Sequence, residues 1–263
     1  MERHPDMLEK LKTATWFAQR PDHWAQAVEL AVRKFRADHD SPEHVRQATA
    51  WAAERAVPVA DALARMGVET VAGDSVALPE ALVAEGQELA KQSAVKMGGP
   101  GDVNLLYAAV RFSGAKKIVE TGVAYGWSSL AILAALDGRD GAQLVSVDMP
   151  YPKMNNDAYV GVVVPQRLRG AWTIVREPDR RGLEKALKIA GGQIDLCHYD
   201  SDKSWWGRQY GFPLMWDALR DGGLFISDDI QDNMAFADFV ERKQLECAVT
   251  AFEDKYVGIV RKV

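Results

Sequence analysis

From Gly98 onward the chain alternates short apolar runs with segments of helical period, and several of the runs end in an acidic residue. No other feature narrows the fold as much. Strands joined in turn by helices predict an α/β fold: a Rossmann-like, doubly wound sheet, mostly parallel, with helices on both faces. Strands are expected over residues 117–120, 143–148, 172–176, 194–199 and 224–227. Helices are expected over 128–136, through Leu183, Leu187 and Ile189, through Met215, Leu219 and Arg220, and over 235–245. Residues 247–252 and 256–260 read as a closing pair joined by the turn Glu253-Asp254-Lys255. They complete a seven-stranded sheet whose last strand enters antiparallel.

Residues 1–95 form an N-terminal helical extension in this reading, and 96–263 the main domain. Trp24, Val28, Ala31, Val32 and Phe35 recur at helical spacing. Ser41-Pro42-Glu43 is a helix start, with a capping serine, a proline in the first turn and an early acid. Val45, Ala48, Ala52 and Ala56 continue it as an apolar stripe, and Pro79 opens a further helix to about Ala94. The extension is suited to cover a site, to form a dimer interface, or simply to pack on the main domain.

The 263 residues are 48% hydrophobic, enough for a substantial core. A net charge of −5 gives no basis for nucleic-acid binding, which calls for clustered basic residues. No apolar run is long enough to span a bilayer. The opening Met1-Glu2-Arg3-His4-Pro5-Asp6 lacks the basic-then-apolar order of a signal peptide, so a cytoplasmic protein is expected. The two cysteines, Cys197 and Cys247, make neither a disulfide framework nor a zinc pattern.

Two groups of residues carry chemistry. Asp200 ends the run Ile194-Asp195-Leu196-Cys197-His198-Tyr199, and Asp228-Asp229 follow Gly222-Gly223-Leu224-Phe225-Ile226-Ser227. Strand ends of this kind meet at the carboxyl edge of a parallel sheet, where ligands bind. Three carboxylates there repel one another unless protonated or bound to a cation, and hard oxygen ligands suit Mg²⁺. The second group is the turn after the first strand. Gly122 and Gly126 permit a tight turn and close ligand approach, but Ala124 and Trp127 stand where a dinucleotide fingerprint wants glycine. Glu120 ends the strand with an acid suited to a cationic ligand, and Asp148 is placed for ribose hydroxyls. S-adenosylmethionine, a cation without phosphate, fits this turn better than NAD.

The stretches Met97-Gly98-Gly99, Val119-Glu120-Thr121-Gly122-Val123-Ala124-Tyr125-Gly126-Trp127-Ser128-Ser129, Asp200-Ser201-Asp202 and Gly222 to Ile230 resemble class I S-adenosylmethionine-dependent methyltransferases. The nearest resemblance is to metal-dependent sugar and natural-product O-methyltransferases of the macrocin and aminocoumarin-sugar types. It covers about residue 97 to the C-terminus. It implies O-methylation of a saccharide or other small molecule by a homodimer or higher homo-oligomer. It further implies that Met97, Glu120, Gly122, Tyr125, Gly126, Ser128, Asp148 and Asp200 serve the cofactor, and that Asp200, Asp228 and Asp229 hold Mg²⁺. In the sugar enzymes the acid two positions after the first ligand, here Asp202, acts as general base. Catechol-type enzymes carry a lysine one residue later, here Lys203. Asp202 is the favoured base, because Lys203 needs a depressed pKa to accept a proton.

Trp205, Trp206, Tyr210 and Phe212 follow, with Gly211 and Pro213 expected to interrupt the helix there. His198 reads as a satisfied strand residue rather than a ligand. The competing readings are a metal-dependent hydroxylase or hydrolase on the same sheet, a non-catalytic S-adenosylmethionine-binding subunit, and an NAD-dependent enzyme.

Overall fold

The computed structural model describes residues 7–33, 37–70, 73–150 and 155–263. Residues 1–6 and Phe35, read above from sequence, lie outside these. The elements run α1 (Met7–Ala18), α2 (Trp24–Arg33), α3 (Pro42–Ala53), α4 (Val59–Arg65), α5 (Glu80–Ala90), α6 (Val103–Ser113) and β1 (Lys117–Thr121). They continue α7 (Trp127–Leu136), β2 (Gln143–Val147), β3 (Trp172–Val175), α8 (Asp179–Ile189), β4 (Ile194–Tyr199) and α9 (Trp205–Ala218). The chain closes with β5 (Leu219–Ser227), α10 (Ala235–Lys243), β6 (Cys247–Phe252) and β7 (Lys255–Arg261).

The seven strands form one sheet in the order β3-β2-β1-β4-β5-β7-β6. β1 pairs in parallel with β2 on one side and β4 on the other. β7 is antiparallel to both β5 and β6. The order reverses between β1 and β4, so the crevice for a ligand opens above their carboxyl ends. Successive side chains of a strand point to opposite faces. Accordingly Ile118 joins the core beneath α6 and α7, and its neighbour Val119 joins the core beneath α8, α9 and α10. Both sheet faces are covered, as the alternation of elements requires.

The extension packs into these cores. Ser41 accepts a hydrogen bond from the His44 backbone N–H and caps α3. Ala52 of α3 lies with Phe236 and Phe239 of α10 in one core, and Ala62 and Leu63 of α4 lie in the other. Ala56 forms a parallel bridge to Val249 of β6, with Val57 N–H donating to the Val249 carbonyl at 2.8 Å. α2 forms where the apolar spacing places it, yet Trp24 and Val28 are 55% and 64% exposed. No helix among the described residues is long and apolar enough to cross a membrane.

Three boundaries differ from expectation. α5 ends at Ala90, four residues early. Leu219 and Arg220 belong to β5 and not to α9. α9 itself runs unbroken through Gly211 and Pro213. Burial of Phe212, Met215 and Trp216 against β5 and α10 overrides the proline's local preference. Gly211 is there for space, since a Cβ would collide with the Tyr199 ring.

Candidate active site

The turn after β1 is built from left-handed backbone. Gly122 has φ 79°, Ala124 φ 47° and Gly126 φ 92°. At Gly122 a Cβ would fall on the carbonyl oxygen of Asp200. That contact brings the β1 and β4 loops together, so glycine is required by both conformation and space. Gly126 caps α7, and the α7 N-terminus points into the cavity with Trp127 and Ser128 lining it. The loop Gly98 to Gly101 forms the opposite wall. A Cβ at Gly101 would overlap the Asp228 carboxylate, which places that loop directly against the acids.

Asp148, just past β2, lines the same cavity and is 3% exposed. Its Oδ2 accepts the backbone N–H groups of Val123 at 2.8 Å and Ala124 at 3.0 Å, fixing the turn. Its Oδ1 accepts from the guanidinium of Arg176, which follows β3. Glu120 lies deeper. Its Oε1 accepts hydroxyl donors from Ser129 and Ser146, and the residue is fully buried beneath the turn. Met97 is held by Asn156, whose Nδ2 donates to Sδ at 3.2 Å, and Tyr125 Oη donates to the Val95 carbonyl at 3.0 Å.

Asp200 and Asp228 are acids at the ends of the neighbouring strands β4 and β5. Each has an Oδ1 with no hydrogen-bond partner. About a quarter of the Asp200 side chain reaches the cavity, but packing strips most of its hydration. That burial, with the nearby Asp228 charge, pushes Asp200 up to about 7. Burial raises Asp228 as well. Asp229 behaves oppositely. Burial works to raise it, but its hydrogen bond from Lys203 and the charges of Lys203 and Lys255 outweigh that and hold it low. Lys255 Nζ lies 3.6 Å from Asp229 Oδ1. For Lys203, burial opposes the charge, and Asp200 and Asp229 more than compensate, raising its pKa. Lys203 is therefore an ammonium here. Among the described residues no three His, Cys, Asp or Glu side chains come together as a formed metal centre. Lys203 and Lys255 both bring positive charge to Asp229.

The two candidate bases sit differently. Lys203 lines the cavity. The Asp202 carboxylate turns to the start of α9, where Oδ1 accepts from the Ser204 hydroxyl at 2.7 Å and the Ser204 N–H at 3.2 Å. His198, expected to be satisfied, is fully buried with neither ring nitrogen hydrogen-bonded. Its Nδ1 lies 3.8 Å from Glu120 Oε2. Burial works to keep it neutral, but Glu120, Asp228 and Asp200 outweigh that and raise its pKa.

Several contributors are not evident in linear spacing. Lys255 arrives on the β6–β7 hairpin, which had read only as a turn. Arg208 of α9 is 1% exposed and donates to the carbonyls of Asp228 at 3.1 Å and Asp229 at 2.6 Å. It holds Asp229 in left-handed backbone, φ 50°. Asn233 Nδ2 donates to the Lys203 carbonyl at 2.9 Å and to Asp40 at 2.8 Å. Asp40 also accepts from Trp205 N–H, and the His39 ring stacks on Trp205 at 4.0 Å. The N-terminal extension thus reaches the loops that carry the acids.

Residues 119–230 match the sequence profile of a methyltransferase domain. Among curated proteins none matches the chain by sequence. Solved structures share the fold at low identity. Cofactor-bound Rv0187 from MTB is 16% identical, with a TM-score of 0.55, covering 79% of this chain and 99% of that one. The O-methyltransferase from Bacillus cereus in complex with SAH is 16% identical, TM-score 0.53, covering 78% and 97%. The O-methyltransferase TomG from Streptomyces achromogenes, involved in tomaymycin synthesis and in complex with SAM, is 16% identical, TM-score 0.51, covering 71% and 92%.

Proposed function

Starting from a methyltransferase domain over residues 119–230, we propose that the chain is an S-adenosylmethionine-dependent O-methyltransferase, Mg²⁺-assisted, acting on a hydroxyl of a saccharide or glycosylated small molecule. The observation that carries this reading is one cavity shared by the Gly122 turn, Asp148, Asp200 and Lys203. A cofactor seated on the turn has its ribose at Asp148 and its methyl-bearing end toward the acids. The chain's own part in the reaction is alignment, exclusion of water and handling of the hydroxyl proton.

The acids fit a divalent ion chemically. Asp200 Oδ1 and Asp228 Oδ1 carry no hydrogen bond and lie at adjacent strand ends, and Asp229 adjoins them. Asp200, Asp228 and Asp229 would hold Mg²⁺, with Lys203 first released from Asp229. When bound, the ion polarises an acceptor oxygen and lowers its pKa. Lys203 then faces the hydroxyl from the cavity wall, and Asp202 shapes the turn behind it. The saccharide reading draws on the aromatic group of Trp205, Trp206 and His39, close to Lys203 in the chain at the start of α9, because flat faces suit a sugar ring.

Calorimetric titration with S-adenosylhomocysteine tests the cofactor, and binding is expected with or without Mg²⁺. Methyl transfer to a panel of glycosides and catechols tests the rest. EDTA is expected to remove most turnover, with added Mg²⁺ restoring it. Full turnover in EDTA discards the metal, and a lack of S-adenosylhomocysteine binding discards the cofactor.

A further inference from the structure

We infer that Arg176 competes with the cofactor's ribose for Asp148, so that entry of a vicinal diol requires this guanidinium to leave. The inference rests on the cofactor reading above. A carboxylate offers about four lone-pair sites. Three are taken at Asp148: Val123 N–H and Ala124 N–H on Oδ2, and the Arg176 guanidinium on Oδ1. One site remains, and a diol donating through both hydroxyls needs two. The backbone donors are fixed by the turn itself. Arg176 is the donor that can move.

Its surroundings provide somewhere to go. The second guanidinium nitrogen already donates to Asp157, whose side chain is 71% exposed. Arg176 and Asp157 also line a separate open recess of about 460 Å³, with Arg20, Pro150, Val160 and Ile174. A guanidinium leaving Asp148 keeps Asp157 and swings outward. The inner cavity holds about 120 Å³ as it stands, against the roughly 300–1,000 Å³ common for ligand pockets. Asp148 lines this cavity, and Arg176 reaches its carboxylate from the side of the outer recess. The arginine also neutralises a nearly buried carboxylate while no ligand is present. Arg176 therefore sets what a ligand must offer in exchange, namely two hydroxyl donors in place of a charged one.

The test is calorimetric titration of S-adenosylhomocysteine into wild type, Arg176→Gln and Asp157→Asn, with thermal melts confirming that each is folded. Removing the competitor is expected to tighten binding on the order of ten-fold. Asp157→Asn, which takes away the outer anchor and leaves Arg176 on Asp148, is expected to weaken it. A folded Arg176→Gln protein with unchanged or weaker affinity overturns the competition. Both variants moving in the same direction also overturns it. Failure of wild type to bind S-adenosylhomocysteine is a different result, since it removes the cofactor reading and this inference with it.

Discussion

Lys203 and Asp202 are chain neighbours with opposite surroundings. The lysine faces the cavity between two acids, while the aspartate is spent on the first turn of α9. The resemblance to sugar enzymes favoured Asp202 as base, whereas the geometry puts Lys203 on the cavity wall as an ammonium, suited to stabilise a developing oxyanion and not to take its proton. Lys203→Met is expected to lower kcat by roughly 10²–10³ through loss of that charge stabilisation, with S-adenosylhomocysteine affinity intact. Asp202→Asn is expected to cost less than about ten-fold and to show its effect mainly in thermal stability. Steady-state kinetics of both variants decide the matter, and the reverse order would restore Asp202. Neither orientation is legible in Asp200-Ser201-Asp202-Lys203. Which side chain enters a cavity depends on where the helix begins, and Ser204 sets that by capping α9.

α9 shows how an element's environment overrules its composition. Gly211 and Pro213 lie within three residues, and both disfavour helix. The helix persists because Phe212 meets Phe225 and Phe239 edge-on at 5.0 and 5.5 Å, and because Trp216 packs beside them. Pro213 itself is exposed, so its cost is a missing backbone donor without a compensating contact. Pro213→Ala is accordingly expected to stabilise the protein by about 1–3 kcal/mol. Chemical denaturation measures this, and a loss of stability would mean that the proline shapes the helix to fit its neighbours. The strands were easier to anticipate. Runs such as Leu144-Val145 and Leu224-Phe225-Ile226 are apolar on both faces because both faces are covered.

At the scale of the molecule, stability carries a signature of buried acid. Asp179 opens α8 and accepts a hydrogen bond from Ser201. Burial is the main cause that raises it from 3.8 to about 6. The folded state thus binds this proton more tightly than the unfolded chain. Its contribution is fully present below about pH 4 and is lost as pH rises to about 6. Asp179→Asn is expected to flatten that part of the melting temperature against pH. An unchanged slope would place its origin elsewhere.

The alternation of strands and helices, the glycine turn and the acids at the strand ends could all be read from the chain, because each depends on local period and composition. Arg176 on Asp148, Lys255 by Asp229 and Arg208 under the acids could not. Those pairs join residues 21 to 28 positions apart, and depend on register and helix phase rather than on any motif. Glu120 is the instructive middle case. Its position was foreseen, but its two serine donors turn it under the turn instead of into the cavity.

The bridge from Ala56 to Val249 bears on how the sheet ends. β6 is the last strand in the order, and a terminal strand presents unpaired donors and acceptors to any other strand that arrives. Here the chain's own early segment lies along part of that rim, with Val57 already bonded to the Val249 carbonyl. The extension therefore makes two separate connections, one at each end of α3. Through Asp40 it steadies the loops that bear the acids, and through Ala56 it acts as a stop, occupying a place where a stranger's strand would otherwise extend the sheet.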